Sequence, residues 1–225
     1  MAAQERSAHR PIDERHVRDR LIEAAEVLFC DRGFNETSVR DIAAAADCNV
    51  ASVNYYFGGK DNLYVEVWHR RLAAMRDMRL AGIEKVMSGE MLPELETLLR
   101  VYAQSFIEPL VDDGHSCRFV HLMAREMIDP HLPEDMFLNE MIEPVMTVLA
   151  QALMKVCPWL EDRSVRQVIL SVVGQLMHMV CAVGMFEHSS HPELSTLDFG
   201  QMVEHVVKFS AAGIRAYADG RGQCA

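Results

Sequence analysis

A chain of 225 residues, half of them hydrophobic, is long enough to bury one large or two smaller cores. Its formal net charge of −11 argues against a wholly basic nucleic-acid binder, and no stretch supplies the roughly 18 continuous apolar residues of a membrane span. The first residues lack the apolar centre of a secretory signal and the six cysteines are isolated, so the expectation is a cytoplasmic chain with reduced thiols, no zinc ribbon and no membrane partner.

Residues 1–12 are polar and read as a flexible arm. From about residue 13 to 31, Val17, Leu21, Ala24 or Ala25 and Leu28 recur at helical spacing, Phe29 widens the apolar face, and Gly33 supplies a stop. Thr37 has the chemistry to cap a short helix with Val39, Ile42, Ala43 and Ala46 near one face and Arg40 and Asp41 facing out. Asp47, Cys48 and Asn49 break that period, with Asp47 able to take a left-handed turn conformation. Asn49 then caps a second short helix, Val50 to Phe57, which Gly58-Gly59 ends. Two short helices across a tight turn predict a helix-turn-helix whose second helix is offered to a major groove.

Lys60 opens a longer helix through Leu63, Val67 and Met75 to about Lys85, with Trp68 read as packing. After a boundary at Ser88 to Pro93, a helix through Leu95, Leu98, Leu99, Tyr102 and Phe106 is predicted to end near Pro109. Cys117 to Ile128 reads as the next helix, and Glu134 to about Cys157 as another, kinked or divided at Pro144. Two more follow, Glu161 to Phe186 and Ser195 to about Tyr217. The first is apolar on more than one side, and the second carries Met202, Val203, Val206, Phe209, Ala212 and Gly213, a breadth that fits either core helices or a face that meets a second copy. The expected organisation is all-α: an arm (1–12), a three-helix DNA-binding unit (13–60), a connecting helix (61–85), a larger helical domain (86–218) and a tail (219–225).

The run Gly33-Phe34, Thr37, Ile42-Ala43, Ala46, Asn49, Asn54-Tyr55-Tyr56-Phe57, Lys60 and Leu63 resembles, in order and spacing, the DNA-binding signature of the TetR family of transcriptional regulators. Asp47 stands where most members have Gly, and Tyr56 replaces the usual His. The resemblance implies a homodimeric, sequence-specific DNA-binding regulator, a repressor released by a small hydrophobic or aromatic effector. Its partners would be a palindromic or near-palindromic operator and a second copy, joined in a four-helix bundle by the helices near 161–187 and 195–217. Arg40, Ser52 and Asn54 would then read base edges, while Thr37, Tyr55, Tyr56 and Lys60 would contact phosphate or sugar. Effector sensing falls to the C-terminal domain, where Met123, Met127, Met141, Met146 and Met177 offer adaptable apolar surface and Tyr102, His121 and His178 offer polar orientation.

Charge distribution suits this division: residues 1–71 carry 10 Lys and Arg against 12 Asp and Glu, so most of the acidity lies in the remainder. His115 with His121, and the cluster Glu187, His188, His191 and Glu193, lack zinc-ligand spacing, and no metal is expected. Ser171 near His178 and the pair Glu108 and Asp112 form no recognisable catalytic arrangement, and no nucleotide-binding glycine loop is present, so neither an enzyme nor a cofactor is expected. Asp47, Tyr56 and the acidic balance motivate the alternative of a homodimeric helical binding or scaffold protein without operator recognition.

Overall fold

Apolar residues at helical spacing produce helices over most of the described residues, seen here in a computed structural model that describes residues 14–111, 122–123, 125–186 and 198–219. The principal helices are α1 (Glu14–Arg32), α2 (Val39–Ala45), α3 (Val50–Phe57), α4 (Lys60–Met87), α5 (Leu95–Val111), α6 (Glu143–Val156), α7 (Asp162–Phe186) and α8 (Phe199–Asp219). A π-helical turn, Leu138–Ile142, leads into α6, and residues 125–128 are also helical. Among the described residues there is no strand, and the fold is all-α. The chain divides into two compact units after Trp68, so that α4 begins in the first and continues through the second.

The first unit closes around aromatic rings. Leu21, Ile22, Ala25 and Phe29 of α1, Ile42 and Ala43 of α2, Val53 and Phe57 of α3, and Leu63, Tyr64, Val67 and Trp68 of α4 are buried. Tyr64 meets Phe29 and Phe34 edge-on, each at 4.9 Å between ring centroids, which adds about 0.5–1.5 kcal/mol per pair to the burial itself. Turns are made where backbone sterics permit: Gly33 (φ 86°) and Gly58 (φ 75°) take positive φ, and so does Asp47 (φ 50°), as its side chain predicted.

In the second unit, Leu98, Leu99 and Tyr102 of α5 share a core with Val145 and Leu149 of α6, Val165, Ile169, Val172 and Leu176 of α7, and Val203, Val207 and Ile214 of α8. Two charged pairs tie α5 to α8: Arg100 Nη2 donates to Glu204 (2.9 Å), and Arg215 Nη2 to Glu96 (2.7 Å). The break expected at Pro144 takes a specific form. Proline has no N–H to donate, and just before it the ladder slips by one residue, with the Glu143 N–H bonding Leu138 O and a π turn resulting. The helix predicted to end near Pro109 ends at Val111, two residues beyond it.

Both long C-terminal helices also expose apolar residues. On α8, Val203, Val206, Val207, Ala211 and Ile214 point inward, whereas Phe209 (64% exposed), Ala212, Gly213 and Tyr217 point out. On α7, Leu170 and Gly174 are exposed opposite the buried Val168, Ile169 and Val172.

Candidate functional site

Side chains within the first unit are spent on holding α3 in place. The structure moves the cap of α2 from Thr37 to Ser38: Ser38 Oγ accepts from the Asp41 N–H (3.2 Å), and the Asp41 carboxylate accepts from the Ser38 N–H (3.1 Å) and hydroxyl (2.6 Å). That reciprocal box satisfies donors at both ends of the first turn. The Ser38 hydroxyl, and then its N–H, hold the Asp41 carboxyl below its ordinary range. Asn49 caps α3 as expected, its Oδ1 accepting from the Ala51 N–H at 2.9 Å.

Two residues expected at phosphate make hydrogen bonds within the fold. Thr37 is only 1% exposed, and its hydroxyl donates to Gly33 O (2.8 Å) and Leu28 O (3.2 Å), so it locks the loop after α1 and offers no side chain to a ligand. Lys60 Nζ donates to Phe34 O (3.0 Å) and Thr37 O (3.1 Å) and lies 4.0 Å from the Phe34 ring centroid. Its charge clamps the start of α4 onto the α1–α2 loop from a partly exposed position. Arg18 makes a similar internal tie, 2.6 Å from Glu66 and 5.5 Å from the Phe57 centroid.

What remains outward is one face of α3. With Val53 and Phe57 buried, the helical period brings Val50, Ala51, Asn54 and Tyr55 (74% exposed) to the surface, and Arg40 of α2 is exposed as well. Tyr56 and Ser52 are partly exposed, and the Tyr55 and Tyr56 rings meet edge-on at 4.9 Å. This face combines a guanidinium, an amide, a phenol and two small apolar residues. Those groups suit base edges, a thymine methyl and a sugar-phosphate backbone.

The residues expected at an effector are less coherent. Tyr102 and Met141 are buried, and Met146 and Met177 pack against the core from partly buried positions. Met123 is partly buried, and His121 lies outside the described residues. Met127, 78% exposed, and His178, also exposed, do not line the interior: on α7 the inward positions are Val172, Leu176, Met179 and Val180, and His178 falls on the other side of that stripe.

The interior holds instead a residue that sequence reasoning passed over. Arg79 of α4 is 6% exposed, with its Cζ 3.7 Å from the Phe106 ring centroid and its Nε without a hydrogen-bond partner. Burial lowers its pKa to about 10, and burial likewise raises that of Tyr102 to about 12, so at neutral pH the guanidinium is charged and the phenol protonated. A cation–π contact offsets about 0.5–2 kcal/mol, whereas taking an ion out of water costs several. The sequence signal was present: Arg79 sits seven residues after Leu72 and four before Ile83, both buried, at a core position of α4.

Among the described residues no group of three His, Cys, Asp or Glu side chains is placed to hold a metal ion, and no helix is long and apolar enough to cross a membrane. The histidine clusters at 115–121 and 187–193 lie outside the described residues, as do the arm and most of the tail.

Residues 21–67 match the family described as bacterial regulatory proteins, tetR family, and residues 100–213 match the tetracyclin repressor-like C-terminal domain. Over 46 residues, 20% of this chain, the sequence is 54% identical to YttP of Bacillus subtilis (strain 168), described as an HTH-type transcriptional regulator. Over 45 residues it is 49% identical to the HTH-type transcriptional dual regulator CecR of Shigella flexneri. These matches span only 22% and 20% of the two relatives. Whole-chain likeness is to folds: a transcriptional regulator from Pseudomonas aeruginosa PAO1 has a TM-score of 0.68 at 18% identity, covering 94% of this chain and 96% of that one. The fatty acid degradation regulator FadR from Bacillus halodurans has a TM-score of 0.64 at 16% identity (87% and 98% covered), and a transcriptional regulator from Saccharomonospora viridis in complex with choline has 0.67 at 14% (87% and 95%).

Proposed function

The chain belongs to the TetR family of transcriptional regulators, DNA-binding proteins rather than enzymes, and from that premise we propose that it is a cytoplasmic, homodimeric repressor released from its operator by a small hydrophobic or aromatic molecule. The observation that carries the reading is the outward face of α3, where Asn54 and Tyr55 stand exposed on a helix whose other side is locked by Val53 and Phe57. Arg40 and Asn54, with Ser52, read base edges, and Tyr55 and Tyr56 contact the backbone. Thr37 and Lys60 support that face from within the fold.

Dimerisation is supported by the exposed apolar stripe of α8 and by Leu170 and Gly174 on α7, small and large residues that suit close helix packing. A two-fold dimer places its recognition helices on half-sites about 34–36 Å apart, or a compatible multiple, and so selects a palindromic or near-palindromic operator. The domains follow as a DNA-reading part (13–60), a connecting helix (61–85) and a sensing and dimerising part (86–218). Choline in the Saccharomonospora viridis neighbour supports small-molecule binding in this fold, without identifying a ligand for this chain. Release requires that the effector bind the operator-competent and incompetent states unequally.

Selection of bound fragments from genomic DNA, followed by sizing and titration at near-physiological salt, tests the reading. A shared inverted repeat bound by a dimer is expected. Binding without sequence preference would favour a helical scaffold protein, and a monomer on a single half-site would remove the dimer.

A further inference from the structure

Arg79 is a charged side chain where the fold calls for an apolar one. Among the described residues no carboxylate lies within ion-pair distance of it, its Nε has no hydrogen-bond partner, and the Phe106 ring and Tyr102 lie beside it. One turn further on, Gly82 lets α4 approach α5 closely, a Cβ there lying 3.1 Å from Val101 Cγ1.

We propose that Arg79 anchors the acidic group of the effector, which is therefore a monocarboxylate with an apolar body, held in the second unit beside Phe106 and Tyr102. This rests on the effector-released reading above and narrows its ligand class. A guanidinium offers a planar fork of donors that matches a carboxylate with two parallel hydrogen bonds. Phe106 covers one side of that fork, and the protonated Tyr102 hydroxyl is a further donor. One buried positive charge is neutralised by one negative charge: a cation is repelled, a neutral molecule leaves the charge unpaired, and a dianion imports an excess of its own.

The test uses the full chain at neutral pH and a panel of straight-chain acids from butyrate to dodecanoate, with phenylacetate and 4-phenylbutyrate, each against its primary amide. Acids are expected to raise the Tm more than their amides, with the best acid binding about tenfold tighter than its amide or better. Arg79→Met should erase that preference while leaving the ligand-free Tm equal or higher, because an unpaired buried charge has been removed. Arg79→Lys should retain part of the preference. Equal effects of acids and amides, no effect of any acid, or an acid preference that survives in Arg79→Met would overturn the proposal. A lower ligand-free Tm in Arg79→Met would overturn it too, assigning the guanidinium to a carboxylate of the chain itself. The best acid is also titrated into the protein–operator complex. Arg79-dependent binding without release contradicts the effector-released reading and leaves the anchor standing, whereas release by amide and acid alike contradicts the anchor alone.

Discussion

The two units treat a cation drawn in from solvent differently. In the first, the buried Thr37 hydroxyl has two carbonyl acceptors, the Lys60 ammonium has two carbonyls and a ring, and Asp41 closes a capping box with Ser38. In the second, the strong charged pairs, Arg100–Glu204 and Arg215–Glu96, lie toward the surface, while Arg79 lies buried against a ring. Hydroxyl and ammonium groups tied to backbone carbonyls in this way make a rigid support for an outward face. The interior charge of Arg79 is the one that the proposed effector carboxylate would complete.

The comparison breaks most severely if the aromatic centre of the first unit is removed. Phe29→Ala deletes the ring that Tyr64 meets edge-on and is expected to destabilise that unit by about 3–5 kcal/mol, read from denaturant midpoints. A cost below 1 kcal/mol would mean that the rings do not organise the support. Next in size is the outward face itself: Arg40→Ala is expected to cost about 1–3 kcal/mol of discrimination at matched positions in both half-sites, with the Tm little changed. Titration of operators mismatched at single positions checks this, and undiminished discrimination would remove Arg40 from base reading.

How much of this was legible beforehand depended on how local each cause was. Asn49 as a cap, Asp47 as a left-handed turn and Gly58 as a stop follow from neighbouring residues, and the structure has them so. Thr37 and Ser38 are adjacent hydroxyls, and only the Asp three residues beyond Ser38 tells which of them caps. The acceptors of Lys60 lie 26 and 23 residues away, beyond any spacing rule. Met127 and His178 show the limit of composition, since residue type suggested an interior that helix phase denies them. Arg79 was legible by the same phase, at a core position among Leu72 and Ile83, but a charged residue does not enter a search for apolar periodicity.

Smaller effects sharpen the contrast. Ser38→Ala removes the acceptor of the Asp41 N–H and should cost about 1 kcal/mol, measurable as a shift in midpoint, with Ser38→Thr restoring most of it. The smallest concerns the surface pairs of the second unit. Glu96 and Glu204 are held below their ordinary carboxylate values, first by hydrogen bonds from Arg215 and Arg100. A carboxylate depressed in this way contributes fully above its unfolded value of 4.5, and the contribution disappears as pH falls through the lower folded value. The Tm should therefore drop slightly more on acidification in the parent than in an Arg100→Gln, Arg215→Gln double variant. Identical profiles would leave these pairs without energetic weight, as many exposed pairs are.

On the proposed reading, the first unit reads DNA with the exposed face of α3 and holds that face with Lys60. Operator affinity measured across a range of salt concentrations, for the parent and for Lys60→Met at a temperature where both are folded, tests it most directly. Lys60→Met is expected to lower the Tm, by about 2 kcal/mol of stability, and to leave the slope of log affinity against log salt unchanged. A slope shallower by about one unit, in a variant as stable as the parent, would place the Lys60 charge on a phosphate and contradict the account.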